Sequence, residues 1–263
     1  MKVQKILVAA PTYDIMKYCE EEFINSLKII DYPDYSILIV DNSQNNDYFN
    51  HLKSKFQNII VIKDNTKEEK NILRLISSRN KIIKYALDNN YDYILMMDSD
   101  VIPPKNILKE LLLSNKDIVS GLYYNYFNIN NKLTYAPVAW TSLTPEEFRE
   151  IKSKIQLPSF IKSHLDLRVH LTEEQANSNN LFEVLIPSAG CMLIKKEVFS
   201  LINYTLLDTS EQNNIKTGDE IGFLLNARKN GFQIYCNTKI KCKHLIKGKF
   251  KQEHNKFKHP LYD

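Results

Sequence analysis

At 263 residues the chain can bury a sizeable core, as one large domain or two small ones. Its 43% hydrophobic and 25% charged residues are those of an ordinary soluble globular protein, and no apolar run approaches the roughly 18 residues of a membrane helix. A formal charge of +4 is too mild to argue for nucleic acid as a partner, because abundant lysine, asparagine and isoleucine beside six glycines point to genomic bias.

The first half alternates strand and helix. The apolar run Ile6 to Ala10 is too short for a signal-peptide core, and residues 5–11 read as a buried strand. Residues 21–30 form an amphipathic helix, 35–43 a second strand, 46–56 a helix and 58–65 a third strand. Over 70–90, Ile72, Leu75, Ile76, Ile82, Ile83 and Ala86 recur at helical spacing. A fourth strand follows, ending in Asp98-Ser99-Asp100. Pro103 and Pro104 open a helix over 104–113, as prolines in a first turn can. A fifth strand covers 117–124. Such interleaving implies a largely parallel sheet with helices on both faces.

Residues 125–183 lose that rhythm. Asparagine-rich turns, a helix start at Thr144-Pro145-Glu146-Glu147-Phe148, Pro137 and Pro158 suggest loops and short helices, not a separate domain. Residues 181–199 return to strand then helix, and 218–236 read turn, helix, a Gly231 turn and strand. No internal repeat appears.

Asp98 and Asp100, at i and i+2 of an extended chain, would project from one face and repel, an effect that a divalent cation or plain solvent can offset. Polar and acidic residues also end the other strands, at 11–14, 41–46 and 64–65, where ligands bind in parallel sheets. Cys19, Cys191, Cys236 and Cys242 lack CxxC spacing and read as reduced thiols of a cytoplasmic protein. Arg79 in an apolar helical stripe needs a partner, either a phosphate or a strand-end aspartate. His164, Asp166 and His170 offer a rival metal cluster. Trp140, the only tryptophan, serves a ligand or the core. Between Lys239 and Lys258 eight lysines face one acid, Glu253, which suits a solvated tail or peripheral contact with an anionic membrane.

Several short motifs stand in order along the chain. Pro11-Thr12-Tyr13 follows the first strand, Asp41-Asn42-Ser43 closes the second, and Arg79-Asn80 precedes Asp98-Ser99-Asp100. Ser188-Ala189-Gly190, Gly218-Asp219-Glu220, Ala227-Arg228-Lys229 with Gly231-Phe232, and a late His244 come after. This set resembles the nucleotide-sugar glycosyltransferases of GT-A fold, closest to the family 2 group, over roughly 5–124 and 181–245.

The resemblance implies an α/β fold, Rossmann-like, with a mostly parallel central sheet flanked by helices. It implies a single domain over 1–247, with a nucleotide-binding half (1–124), an acceptor half (125–247) and a basic tail (248–263). The implied reaction transfers a sugar from a nucleotide-diphosphate donor to a hydroxyl of a glycan, lipid-linked or protein acceptor. Nucleotide binding falls to Pro11, Thr12, Tyr13, Asp14, Asp41, Asn42, Arg79, Asp98 and Ser99, with Asp41 at the base and Asp98 at the ribose. Mn²⁺ or Mg²⁺ falls to Asp98, Asp100 and His244, with Asp100 the principal ligand. Ser188, Gly190 and Trp140 face the acceptor, and a glycine inside a strand pattern suggests close backbone approach. The general base of an inverting reaction is Glu220 or Asp219. The pair stands here as Asp-Glu, the reverse of the family order, so the choice stays open.

The family's N-x-G turn is degraded to Asn71-Ile72-Leu73. A sugar-phosphate nucleotidyltransferase would need a glycine-rich loop after the first strand, and a P-loop enzyme its own motif; neither is present. A non-catalytic nucleotide-sugar or carbohydrate-binding protein of the same fold is the remaining rival.

Overall fold

The computed structural model describes residues 3–129, 131–157, 161–164, 167–206, 219–246, 251–253 and 256–258, the last two segments and Asp219 as backbone. In chain order come β1 (Ile6–Thr12), a 3₁₀ turn (Asp14–Tyr18), α1 (Glu20–Lys28), β2 (Tyr35–Asp41), α2 (Asp47–Lys55), β3 (Ile60–Lys63), α3 (Asn71–Asp88) and β4 (Tyr93–Met97). Next are β5 (Val101–Ile102), α4 (Ile107–Leu113), β6 (Ile118–Leu122), β7 (Tyr124–Ile129), β8 (Lys132–Pro137), β9 (Trp140–Ser142) and α5 (Pro145–Lys154). Then come β10 (Arg168–His170), α6 (Glu173–Asn177), β11 (Leu181–Glu183), β12 (Cys191–Lys195), α7 (Lys196–Phe199) and α8 (Asp219–Lys229). The chain closes with β13 (Ile234–Lys241), β14 (Lys243–His244), β15 (Lys251–Glu253) and β16 (Lys256–Lys258).

Eight strands form one sheet in the order β11-β13-β6-β12-β4-β1-β2-β3. The run β4-β1-β2-β3 is parallel, as is β6 with β13. Only β12 and β11 run against their neighbours. All seven residues of β1 are buried, which explains its unbroken apolar run in the middle of the sheet. Its side chains alternate between two cores. Leu7 and Ala9 pack with Ile82, Ile83 and Ala86 of α3 and with Phe223 and Ala227 of α8. Ile6, Val8 and Ala10 pack with Phe23 and Leu27 of α1, Leu52 of α2 and Leu108 of α4.

Three expectations change. The helix after the prolines starts at Ile107, capped by the Ile107 N–H donating to Pro104 O at 3.0 Å, so the prolines form a linker and not a first turn. The aspartates do not sit on an extended strand: β4 stops at Met97, and Val101 N–H bonds Asp98 O at 3.0 Å across a turn. Residues 125–183 hold more order than their composition suggests, with the hairpin β7–β8 and the pair β9–β10. Helix α5 starts where expected, its Thr144 and Glu147 forming a reciprocal capping box. No described helix is long and apolar enough to cross a membrane. β15 and β16 pair antiparallel within the basic tail, whose side chains from residue 247 onward, and so its membrane contact, lie outside the described residues.

Candidate functional site

The carboxyl edge of the sheet opens into one cavity of about 610 Å³. Four parallel strands deliver its floor: β1 brings Pro11, Thr12 and Tyr13, β2 brings Asn42, β4 brings Asp98, Ser99 and Asp100, and β6 brings Tyr123. Because β12 runs the opposite way, its starting end reaches the same edge and contributes Pro187 and Ala189. The first turns of α3 supply Asn71, Ile72, Arg74, Leu75 and, deeper, Arg79. Asn125, Phe127, Trp140 and Ile186 form the far wall, and Glu220 enters from the start of α8. That helix lies tight against the chain at Gly222, where an added Cβ would meet the Thr205 carbonyl oxygen at 2.2 Å.

Each aspartate of the pair meets a basic side chain. Arg79 Nη2 donates to Asp98 Oδ1 at 2.8 Å, with the guanidinium only 3% exposed and the carboxylate 35%. His244 Nε2 lies 3.4 Å from Asp100 Oδ2, both side chains buried. A small ladder holds that contact: β14 pairs with β5, setting His244 against Val101, and Leu245 N–H donates to Asp100 O at 2.7 Å. Burial alone would depress the His244 pKa, but the hydrogen bond to Asp100 and the charges of Asp100 and Asp98 outweigh it, so the imidazole titrates above its ordinary value. Tyr123 shifts upward as well, through burial first and the two aspartate charges second, and its phenol stays protonated. Tyr13 is raised by burial and by the Asp100 and Asp14 charges.

Beneath the pair lies Gly190. A Cβ there would stand 2.5 Å from Asp98 Oδ2 and 2.9 Å from Tyr123 Oη, so the close approach expected at this glycine is to the aspartate itself. Asp98 N–H also donates to Gly190 O at 2.9 Å.

Of the residues singled out in the sequence, Pro11, Thr12, Tyr13, Asn42, Arg79, Asp98, Ser99, Asp100, Trp140, Glu220 and His244 line the cavity. Others stand behind it. Asp41 is fully buried; its Oδ1 accepts from Ser43 N–H and Oγ, and its Oδ2 from Lys63 Nζ at 2.7 Å. Asp14 starts the 3₁₀ turn, its N–H donating to Ser43 Oγ at 2.9 Å. Ser188 ties its loop down, donating from Oγ to Val138 O at 2.7 Å and from N–H to Ser120 Oγ at 3.1 Å. Asp219 opens α8, and its side chain lies outside the described residues.

Of the rival cluster, His170 places Nδ1 2.8 Å from Pro137 O and packs its ring on Phe127 and Trp140, while Asp166 lies outside the described residues. Among the described residues no three His, Cys, Asp or Glu side chains are gathered as a ready cation site.

Several cavity residues escaped the sequence reading. Ile72 and Leu75, read only as part of the helical stripe, wall the cavity. Arg74 adds a cation whose Nη1 is held by the Glu69 carbonyl at 2.9 Å. Asn125 and Phe127 sit two apart on β7, a period-two signal visible only once that segment is known to be a strand.

The profile described as glycosyl transferase family 2 matches residues 21–201, more than half of the chain. No curated protein sequence matches it.

Proposed function

The chain belongs to glycosyl transferase family 2, and from that premise we propose a metal-dependent, inverting transfer of a sugar from a nucleotide-diphosphate donor to an acceptor hydroxyl. The protein is a glycosyltransferase of the α/β GT-A type. The observation that carries the finer reading is the meeting of Asp98, Asp100 and Glu220 with Arg79, Arg74 and His244 in one cavity of about 610 Å³. That volume suits a bound small molecule, for which about 300–1,000 Å³ is usual.

In this reading the nucleoside lies over Pro11, Thr12, Tyr13 and Asn42. Asn42 is well fixed: its amide donates to Ser78 Oγ at 3.1 Å, and Ser78 donates to the buried Asp64 at 2.9 Å. Asp41, saturated by Ser43 and Lys63, holds the turn that carries Asn42 and acts at one remove from the base. Arg79 and Arg74 offer positive charge toward the phosphates. Asp98, Asp100 and His244, though not gathered as a ready site, are the oxygen, oxygen and nitrogen donors that would hold Mn²⁺ or Mg²⁺. Such a cation, when bound, supplies charge that stabilises the departing diphosphate.

Glu220 is the favoured base because it is on the cavity wall and in the first helical turn, where the helix N-terminus favours its anionic form. It takes the proton of the acceptor hydroxyl as that oxygen bonds the anomeric carbon. The bond to the diphosphate oxygen breaks, and its electron pair leaves with the nucleoside diphosphate. The four buried free thiols favour a reducing compartment.

Thermal-shift titrations with UDP, GDP, CMP and dTDP, each in Mn²⁺, Mg²⁺ or EDTA, test the reading. One nucleotide should stabilise the fold by about 2.7 kcal/mol at a hundredfold excess over Kd in metal, and by much less in EDTA. Asp100→Asn should remove that difference with the fold intact. Equal stabilisation with and without metal overturns the metal-dependent mechanism.

A further inference from the structure

The far wall of the cavity is made differently from its floor. Strand β7 alternates, sending Asn125 and Phe127 into the cavity while Tyr124 stacks on Tyr135 at 5.2 Å and Tyr126 packs on it, tilted, at 4.9 Å. Phe127 meets Trp140 edge to face at 5.7 Å and 85°. His170 packs behind both rings, 4.6 Å from Phe127 and 4.7 Å from Trp140, and is itself held at Pro137 O. The Trp140 backbone is fixed too, bonded both ways to Ile186 at 2.8 and 3.1 Å. Two aromatic rings therefore present a braced, half-buried surface to the cavity before any ligand arrives.

Polar groups face that surface. Glu220 lines the same cavity from the start of α8, and Asn125 stands two residues from Phe127 on the same strand face. The Asn125 Oδ1 accepts from Tyr126 N–H at 2.8 Å, which leaves its NH₂ as the end that can donate to a ligand hydroxyl.

We infer that the acceptor is a pyranoside, bound with the C–H face of its sugar ring against Phe127 and Trp140 and its hydroxyl rim toward Asn125 and Glu220. The inference rests on the glycosyltransferase reading of the cavity and names the acceptor class within it. A pyranose has one apolar ring face and a rim of hydroxyls, which matches one aromatic wall opposite polar side chains. A polyprenyl chain would strip water from Glu220 and Asn125 and return no hydrogen bonds. A peptide would lay backbone amides against rings that offer them no partner.

Trp140 is the only tryptophan, so the emission of the full-length protein reports on this wall directly. The probes are methyl β-glucopyranoside, methyl β-galactopyranoside and methyl N-acetyl-β-glucosaminide, with farnesyl phosphate and a Ser/Thr-containing peptide as the other acceptor classes. Each is titrated in Mn²⁺ with the nucleotide that gives the largest thermal shift. At least one pyranoside should change the emission saturably, and the other two classes should not. Phe127→Ala should weaken that pyranoside about tenfold, the worth of one aromatic contact, while nucleotide affinity stays within about twofold. Phe127→Leu, which keeps an apolar side chain there, should fall between and replaces the alanine variant if that one does not fold.

If nucleotide binds but no pyranoside changes the emission, or only farnesyl phosphate or the peptide does, the pyranoside assignment is wrong while the donor reading stands. Pyranoside affinity unchanged in both Phe127 variants also overturns it. Failure of every nucleotide to bind is the separate sign that the donor reading has failed.

Discussion

Replacing Gly190 by alanine puts a methyl group where the Asp98 carboxylate already stands. The new Cβ would lie 2.5 Å from Oδ2, 2.9 Å from the carboxyl carbon and 2.9 Å from Tyr123 Oη. Gly190 is not among the positive-φ residues, so the effect is steric and not a backbone penalty. Tyr123 is buried, accepts from Gly190 N–H at 3.3 Å and packs on His244, so the partly exposed Asp98 side chain is the one that must give way. Turning it breaks the 2.8 Å bond to Arg79. Breaking a fully buried ion pair costs about 3–5 kcal/mol, and since the Asp98 side chain is 35% exposed and regains water, about half of that applies here, roughly 2 kcal/mol. Urea unfolding should show a lower midpoint at unchanged slope. Nucleotide affinity in Mn²⁺ should fall about tenfold as Asp98 leaves its place. A double-mutant cycle isolates the cause: in an Asp98→Ala background the same Gly190 substitution should cost less than about 0.5 kcal/mol. Unchanged stability and affinity in Gly190→Ala, or an equal cost in both backgrounds, would refute the reasoning.

Three further outcomes follow from other contacts. Glu220→Gln should lower turnover by about 10²–10⁴-fold with donor affinity kept; normal turnover in single-turnover assays would move the base elsewhere, with Asp219→Asn the next variant to test. Asp41→Ala leaves Lys63, only 10% exposed, without its carboxylate, and should cost about 3 kcal/mol in urea unfolding, partly restored by Lys63→Met. Glu20 of α1 is pushed up by burial, but hydrogen bonds from His51 and Lys55 of α2 outweigh that and leave its pKa below the ordinary value. Its stabilisation is therefore complete above the unfolded-state pKa of about 4.3 and is lost as pH falls toward the folded one, so Glu20→Gln should flatten the acid limb of melting temperature between about pH 3 and 5. An acid limb as steep as in the parent would exclude Glu20 as its source.

Much of the fold was legible because its signals are local and repeated. β1 to β4 and α1 to α3 each lie within a few residues of their expected bounds, since buried parallel strands are apolar throughout and α3 keeps a helical stripe over 18 residues. Phase was harder to read. Asp41, Asn42 and Ser188 were all expected at the site, yet only Asn42 reaches the cavity, and beside Ser188 it is Ala189 that does. A motif gives the position of a segment, and a shift of one residue along an extended chain reverses the face. The far wall was the least legible part. β7 and β8 carry asparagines and exposed tyrosines that blur strand alternation, and β9 finds its partner β10 almost thirty residues away. Leu75 was legible only as part of a helical stripe, because an apolar residue facing a ligand cavity keeps the same spacing as one facing the core.

The aspartate pair shows what such a site must exchange when it loads. The repulsion between Asp98 and Asp100 is offset within the protein by the Arg79 guanidinium on one and, when it is protonated, by His244 on the other. A divalent cation arriving alone must compete with both of those partners. A diphosphate arriving alone meets two carboxylates and Glu220 in the same cavity. On the proposed reading the two together would offset one another, the cation held by the carboxylates and the phosphates by the released Arg79. Metal and nucleotide should therefore bind with positive coupling, each strengthening the other by one and the same factor, about 5–150-fold on the usual scale of such couplings. Calorimetric titration of Mn²⁺ with and without nucleotide, and of nucleotide with and without Mn²⁺, measures that factor from both sides. Arg79→Met should shrink it by weakening the phosphate half of the exchange. Independent binding of the two ligands would mean that these ion pairs survive loading, and that the aspartates hold the fold together and not the substrate.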